Sequence, residues 1–162
     1  MALTKVSMKT KYRLQDKVYE DSLIAGMVAA IETEDLDAMF VGGGAVQFYS
    51  FSETLRRPTL DIDFQSQGWT KGKVGRNWGN ATVRNLENRG YLTEKPHKDR
   101  TGTEVRLKGY QPPFFIHLDS YTPKFSQQYG KVISASLERK RTVLFGREAT
   151  KVLVEAPEDI LA

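Results

Sequence analysis

Two aspartates, Asp61 and Asp63, lie in a segment that alternates apolar and acidic residues from Leu60 to Phe64. Alternation with a period of two is typical of a strand with one buried face, so both carboxylates are predicted to share the other face. Two carboxylates held this close need a counter-charge when both are ionised. Oxygen ligands, in a chain with no cysteine and only two histidines, favour Mg²⁺ or Mn²⁺ in that role.

Three consecutive glycines, Gly42, Gly43 and Gly44, follow the apolar segment 38–41. This pattern predicts a buried strand that ends in a turn, with a short helix from about Ala45 to Phe51. Backbone N–H groups at the start of a helix bind phosphate, and glycine lets the phosphate come close to the backbone. A turn of this kind beside a metal-binding carboxylate pair is the arrangement that nucleotidyl transfer needs.

A third carboxylate, Asp119, belongs to the segment 114–121, which also alternates and is predicted to form a strand. Phe115, His117 and Asp119 would share the face opposite to the core. We expect a neighbouring strand to bring Asp119 beside the first two aspartates, where it would bind metal or act as base toward an acceptor hydroxyl. His117 is interpreted as a structural polar residue rather than a ligand.

These segments resemble the nucleotidyltransferase superfamily that includes DNA polymerase β and, more narrowly, the AbiE-type abortive-infection toxin family. That family combines an apolar strand, Gly-Gly-(Ser/Thr), a short helix and Arg-x-Thr-x-Asp-Ile-Asp. The second part is matched here by Arg57, Thr59, Asp61, Ile62 and Asp63. Gly44 stands where the family has Ser or Thr. The resemblance covers most of the chain and implies a polymerase-β-like palm, in which a mixed β-sheet is flanked by helices.

The resemblance also implies an activity: metal-dependent transfer of a nucleoside monophosphate from a nucleoside triphosphate to a hydroxyl of RNA, a protein or a small molecule, in a toxin–antitoxin setting with a partner protein. The implied metal ligands and catalytic residues are Asp61, Asp63 and Asp119. The implied nucleotide-binding residues are Gly42, Gly43, Gly44, Arg57 and Thr59. From about Pro157 the relatives continue into a helical part that carries an active-site lysine.

Two alternatives remain open at this point. The first is a module of the same fold that binds nucleotide or RNA without turnover. The second is a structural domain whose acids hold a metal or nothing. Thermal stability with Mg²⁺ or Mn²⁺ tests for a metal at the acidic pair, because Asp61→Asn should abolish the rise in melting temperature that a bound metal gives.

The remaining elements are predicted from periodicity and from turn residues. Helices are expected at 16–32, where Ile24, Met27, Val28 and Ile31 form one stripe, and at 82–88, with a first turn at 158–162. The glycine-rich segment 68–79 is predicted to be a loop. Segments 91–93 and 104–107 are expected to pair, and further strands are expected at 137–145 and 151–154. Helices and strands mix without strict alternation, which indicates the α+β class.

Composition and charge limit the class of protein. The 162 residues are 40% hydrophobic and 27% charged, typical of one globular domain spanning 1–162 with a tail at 1–12. No apolar run is long enough to span a bilayer, so we expect a cytoplasmic protein without membrane contact. Ten bases and four acids lie between Lys71 and Lys108. This stretch weakly favours RNA as acceptor, although a solvated face gives the same pattern.

Overall fold

The computed structural model describes residues 17–33, 38–49, 59–66, 74–99, 102–120, 123–145 and 150–160. Five helices and seven strands lie within these ranges. The helices are α1 (Lys17–Glu32), α2 (Gly42–Tyr49), α3 (Val74–Asn88), α4 (Pro123–Arg139) and α5 (Pro157–Ile160). The strands are β1 (Met39–Val41), β2 (Asp61–Ser66), β3 (His97–Lys98), β4 (Gly102–Leu107), β5 (Phe114–Ser120), β6 (Arg141–Phe145) and β7 (Thr150–Val154). None of these helices is long and apolar enough to cross a membrane.

All seven strands form one mixed sheet in the order β3-β4-β5-β2-β1-β7-β6. Strand β2 runs parallel to β5, and β1 runs parallel to β7, whereas the other neighbours are antiparallel. The predicted α+β class with a mixed sheet flanked by helices is therefore confirmed. The single-domain boundaries 1–162 stay a prediction, and the tail at 1–12 lies outside the described residues.

Strict alternation gives the sheet one apolar face. Ile62 and Phe64 on β2 are completely buried, and so are Phe114, Ile116 and Leu118 on β5. Helices α1 and α3 cover this face: the Trp78 and Phe64 rings lie 6.3 Å apart, and Trp78 Nε1 donates to the Gly26 carbonyl at 3.2 Å. The burial of these large side chains is the main source of stability, at about 25 cal/mol per Å² of apolar surface.

The opposite face is apolar only at one end. There, Ile133 and Leu137 of α4 pack on Met39, with Val41 and Leu153 at the margin. Towards β2, β5 and β4 the same face carries polar and charged side chains instead. The sheet thus holds the acidic residues on a rigid platform beside α4.

Two helices differ from the sequence predictions. Helix α3 begins at Val74, so Trp78 and Gly79 are helical and not in a loop. A Cβ at Gly79 would lie 2.5 Å from Thr103 Cγ2, which shows that this glycine serves close helix–sheet packing rather than a turn. Helix α4 was not predicted, and the expected strand 137–145 is helical up to Arg139, with β6 beginning at Arg141.

The prediction of one buried apolar stripe on α1 is only partly correct. Ile24 and Met27 are buried, but the Ile31 side chain is 65% exposed. Small residues face the sheet instead: a Cβ at Gly26 would lie 2.6 Å from the Phe64 ring. At this contact the large side chain is therefore Phe64 of β2, and α1 contributes only a glycine.

The other predicted elements fall close to their expected places. The helix after the glycine run begins at Gly42 itself, and the strand predicted at 60–64 is β2. The pairing expected between 91–93 and 104–107 is present as a single bridge, Thr93 to Leu107, while β4 pairs mainly with β3 and β5. Strand 151–154 and the turn of helix after it are confirmed as β7 and α5. Of the predicted loop at 68–79, residues 68–73 lie outside the described residues and residues 74–79 are helical.

Candidate functional site

The acid pair on β2 is oriented as the alternation predicts. Asp61 and Asp63 are half-buried on the polar face, and their neighbours Ile62 and Phe64 are in the core. The Thr59 hydroxyl donates to Asp61 Oδ1 at 2.6 Å. Thr59 therefore positions an acid in this structure; its predicted contact with nucleotide stays a prediction.

His117 lies directly beside Asp63, because β5 pairs in parallel with β2 at this register. Its Nδ1 is 2.9 Å from Asp63 Oδ1, and its Nε2 is 3.2 Å from Glu104 Oε2 on β4. The hydrogen bond to Asp63, opposed by partial burial, raises the His117 pKa to about 9. At neutral pH the ring is therefore protonated and donates from both nitrogens. This imidazolium supplies a counter-charge to the acid pair.

Asp61, Asp63 and His117 form a group that fits a metal ion. One ligand atom from each lies within 4.8 Å of the others. Two carboxylate oxygens and one imidazole nitrogen suit a divalent cation, provided that the imidazole releases its proton. Sequence reasoning missed His117 as a member of this group, because a lone histidine on a strand carries no signal of its partners. Its place two residues before Asp119 was the available hint.

Asp119 shares the polar face but lies further along β5. It pairs with Gln65 of β2 and Gly102 of β4, two residues beyond the pairing of Asp63 with His117. Burial, with a smaller contribution from the Asp63 charge, raises its pKa to about 6. Within the described ranges, the close three-residue group does not include Asp119. Its part in metal binding or in base catalysis stays a prediction.

The glycine turn meets the acid pair at Gly42. This residue has φ of +70°, a left-handed conformation that glycine adopts without strain. A Cβ placed there would lie 3.1 Å from Asp63 Oδ2, whereas one at Gly43 would have nothing within 4 Å. The exposed start of α2 and the acids of β2 are therefore neighbours.

Gly44 has a different environment from the other two glycines. It is buried, and a Cβ there would lie 2.4 Å from both the Phe40 ring and the Tyr19 hydroxyl. The serine or threonine typical of the resembled family would not fit without displacing these rings. Nucleotide binding by Gly44 stays a prediction, as it does for Arg57, which lies outside the described residues.

Glu155 is a second residue that the sequence did not reveal. The parallel pairing of β7 with β1 brings it to the glycine turn, and its backbone N–H donates to Phe40 O at 2.9 Å. Gly42 N donates to Glu155 Oε2 at 3.4 Å. Burial raises the Glu155 pKa. A cavity of about 470 Å³ opens here, lined among others by Gly43, Val46 and Asp159. An acid directly after an apolar strand was the signal in the sequence.

The pKa of His117 predicts a loss of stability in alkali. Its folded-state pKa of about 9 lies above the ordinary value of 6.5, so its contribution is full below pH 6.5 and disappears as pH rises toward 9. We expect the free energy of unfolding to fall by roughly 2 kcal/mol over this window. Urea denaturation in EDTA at several pH values measures it. The His117→Gln variant has no imidazole to titrate. If its free energy of unfolding falls with pH as steeply as that of the wild type, His117 is not the group responsible.

Comparison with known proteins shows which class of fold the chain has. The chain is similar to the crystal structure of an antigenic nucleotidyltransferase-like protein from Paracoccidioides brasiliensis, with a TM-score of 0.54 and 17% sequence identity. The match covers 88% of this chain and 63% of that one, so this chain spans under two thirds of that protein's length. No protein-family model and no curated protein matches the sequence. The likeness shows that the α+β fold is nucleotidyltransferase-like.

Proposed function

We propose that this protein is a metal-dependent nucleotidyltransferase that transfers a nucleoside monophosphate from a nucleoside triphosphate to a hydroxyl group. One observation carries the proposal: the position of a Cβ on Gly42 is 3.1 Å from Asp63 Oδ2, so the glycine turn proposed to bind phosphate lies beside the acidic group proposed to bind metal. The nucleotidyltransferase-like fold supports it.

Asp61, Asp63 and His117 would hold the metal. A bound Mg²⁺ or Mn²⁺ would neutralise triphosphate charge and polarise the phosphoryl group. The imidazole in the set favours Mn²⁺ over Mg²⁺, since Mg²⁺ prefers oxygen ligands alone. Asp119 is proposed as the third carboxylate, which binds a second ion or takes the acceptor's proton.

The reaction requires a defined exchange of bonds. The acceptor oxygen bonds to the α-phosphorus, the bond from that phosphorus to the α,β-bridging oxygen breaks, and pyrophosphate leaves with that oxygen. The hydroxyl proton passes to Asp119, whose raised pKa of about 6 suits a base near neutral pH. The N–H groups at Gly42 and Gly43 would bind the β- and γ-phosphates. Thr59 keeps Asp61 in place through its 2.6 Å hydrogen bond.

Several finer assignments complete the proposal. Arg57 would contact phosphate or brace the motif, as the resembled AbiE-type family implies. The same resemblance suggests a toxin–antitoxin role with a partner protein. The acceptor class considered from sequence was RNA, a protein or a small molecule, and the proposed location is cytoplasmic.

A second candidate is a module that binds nucleotide or RNA without turnover. One contact favours it: the Gly42 N–H that a phosphate would use already donates to Glu155 Oε2 at 3.4 Å. A carboxylate at that position opposes phosphate by charge repulsion.

Calorimetric titration with each of the four nucleoside triphosphates, in Mg²⁺ and in Mn²⁺, tests the proposal. We expect metal-dependent binding to wild type that the Asp61→Asn, Asp63→Asn double variant loses. Pyrophosphate release then separates an enzyme from a binding module. Absence of binding to wild type, or equal binding to the double variant, would refute the nucleotide site.

A further inference from the structure

A second cavity opens beside the proposed metal group, on the side away from the glycine turn. Its volume is about 250 Å³, and its lining includes Asp99, Glu104, His117 and Asp119. His117 belongs to both sites: its Nδ1 faces Asp63, and its Nε2 faces Glu104. A molecule in this cavity, here called the β4–β5 pocket, is therefore in contact with the metal group.

The strand order places three sites in a row across the sheet. Reading from β1 through β2 and β5 to β4, one meets the glycine turn, then the acid pair with His117, then the β4–β5 pocket. In phosphoryl transfer the attacking and leaving oxygens lie roughly in line on opposite sides of the phosphorus. If the leaving phosphates occupy the glycine turn, the acceptor approaches from the side of this pocket.

The lining of the pocket selects against a polyanion. Asp99, Glu104 and Asp119 contribute carboxylates, and within the described part of the chain neither lysine nor arginine lines it. The Asp99 carboxylate is held toward β4 by the Gly102 N–H, which donates to its Oδ1 at 3.0 Å. The three carboxylates outnumber the two histidines of the lining, His97 and His117, so the cavity repels phosphate groups and attracts a cation.

Three arginines of the basic stretch that favoured RNA form ion pairs outside this pocket. Arg84 pairs with Glu32, Arg89 pairs with Asp21, and Arg106 pairs with Glu94. These arginines neutralise acids of α1 and of the segment before β3. They do not form a phosphate-binding lining for the β4–β5 pocket.

Resting on the proposed nucleotidyltransferase function, we infer that the acceptor is a small hydroxyl compound that carries a protonated amine, and that it binds in the β4–β5 pocket with its amine against Asp99 and Glu104. The hydroxyl then points toward His117 and the metal group. The cavity volume of about 250 Å³ lies just below the roughly 300–1,000 Å³ of ordinary ligand pockets and limits the bound part to about one sugar ring.

Three matched sugars test the inference: D-glucosamine carries the amine, D-glucose is neutral, and D-glucose 6-phosphate is an anion. Each is titrated into ¹⁵N-labelled protein and followed by amide shifts at Gly102 and Thr103, two residues of the lining. We expect D-glucosamine to bind about tenfold more tightly than D-glucose, as one charge-assisted hydrogen bond provides, and the phosphate to bind most weakly.

The Asp99→Asn, Glu104→Gln double variant is the matched control, because both amides keep the size and an acceptor oxygen of the original side chains. The tenfold preference should vanish in it while its thermal unfolding stays cooperative. Equal affinity for the three sugars, absence of binding at these amides, or displacement of D-glucosamine by an RNA oligonucleotide that binds more tightly overturns the inference. Nucleotide binding that depends on Asp61 is measured separately, so the failure of one proposal is distinguishable from the failure of the other.

Discussion

Replacing Asp61 by asparagine is expected to abolish the rise in melting temperature that Mn²⁺ or Mg²⁺ gives to the wild-type protein. Asparagine keeps the shape of the side chain and an oxygen for the Thr59 hydroxyl, which donates to Asp61 at 2.6 Å, but it removes the negative charge. Metal at about 100 times its Kd adds roughly 2.7 kcal/mol to the folded state. For a chain of this size that corresponds to a rise of roughly 5–10 °C. Thermal scans with metal and with EDTA measure it.

Two further variants make this experiment specific. Glu94→Gln alters a surface acid that pairs with Arg106, away from the acid pair, and should keep the full metal-dependent rise. The Asp119→Asn variant tests whether Asp119 is the third carboxylate. If the metal-dependent rise in melting temperature is partly lost in this variant, Asp119 is among the metal ligands. If Asp61→Asn retains the wild-type rise, the metal binds somewhere else.

The glycine turn gives the second large effect, through two adjacent substitutions with opposite outcomes. In Gly43→Ala the new methyl group enters open space, so the free energy of unfolding should stay within about 0.5 kcal/mol of wild type. That open space is where a phosphate would approach the backbone. We therefore expect the affinity for nucleoside triphosphate to fall at least tenfold, measured by calorimetry, with the fold intact.

Gly42→Ala should act mainly on stability. Its φ of +70° costs an alanine about 1–2 kcal/mol, and the methyl group would lie 3.1 Å from Asp63 Oδ2. Urea denaturation should show this loss. Gly90→Ala is a matched control, because Gly90 has φ of +88° and open space around it, so it carries the strain without the contact to Asp63.

If Gly43→Ala binds nucleotide as tightly as wild type, phosphate does not use this turn.

The parts of the fold that follow a short period were predictable from the sequence. Alternation on β2 fixed which face holds Asp61 and Asp63, because a strand has only two faces. The glycine run after an apolar strand indicated where the strand ends and α2 follows. Both signals are local, so neither depends on knowing which strands are neighbours.

The parts that depend on distant pairing were not predictable. His117 reaches Asp63 only because β5 lies parallel to β2 in one particular register, and a shift of two residues would have put Asp119 there. Glu155 reaches Gly42 only because β7 lies beside β1. Gly79 suggested a loop because glycine marks both turns and close packing, and only the position of Thr103 separates the two.

The pairing of β7 with β1 also sets the order in which the protein becomes complete during synthesis. Glu155 follows Gly42 by 113 residues, so a ribosome makes β1 long before the strand that covers its outer edge. Pairing across such a separation is slow, because a long loop must close first. Strands β2 and β5, which carry the acids and His117, are both made earlier than β7. A growing chain can therefore pair β1 with β2, which brings Gly42 to Asp63, before β7 brings Glu155 to the same turn.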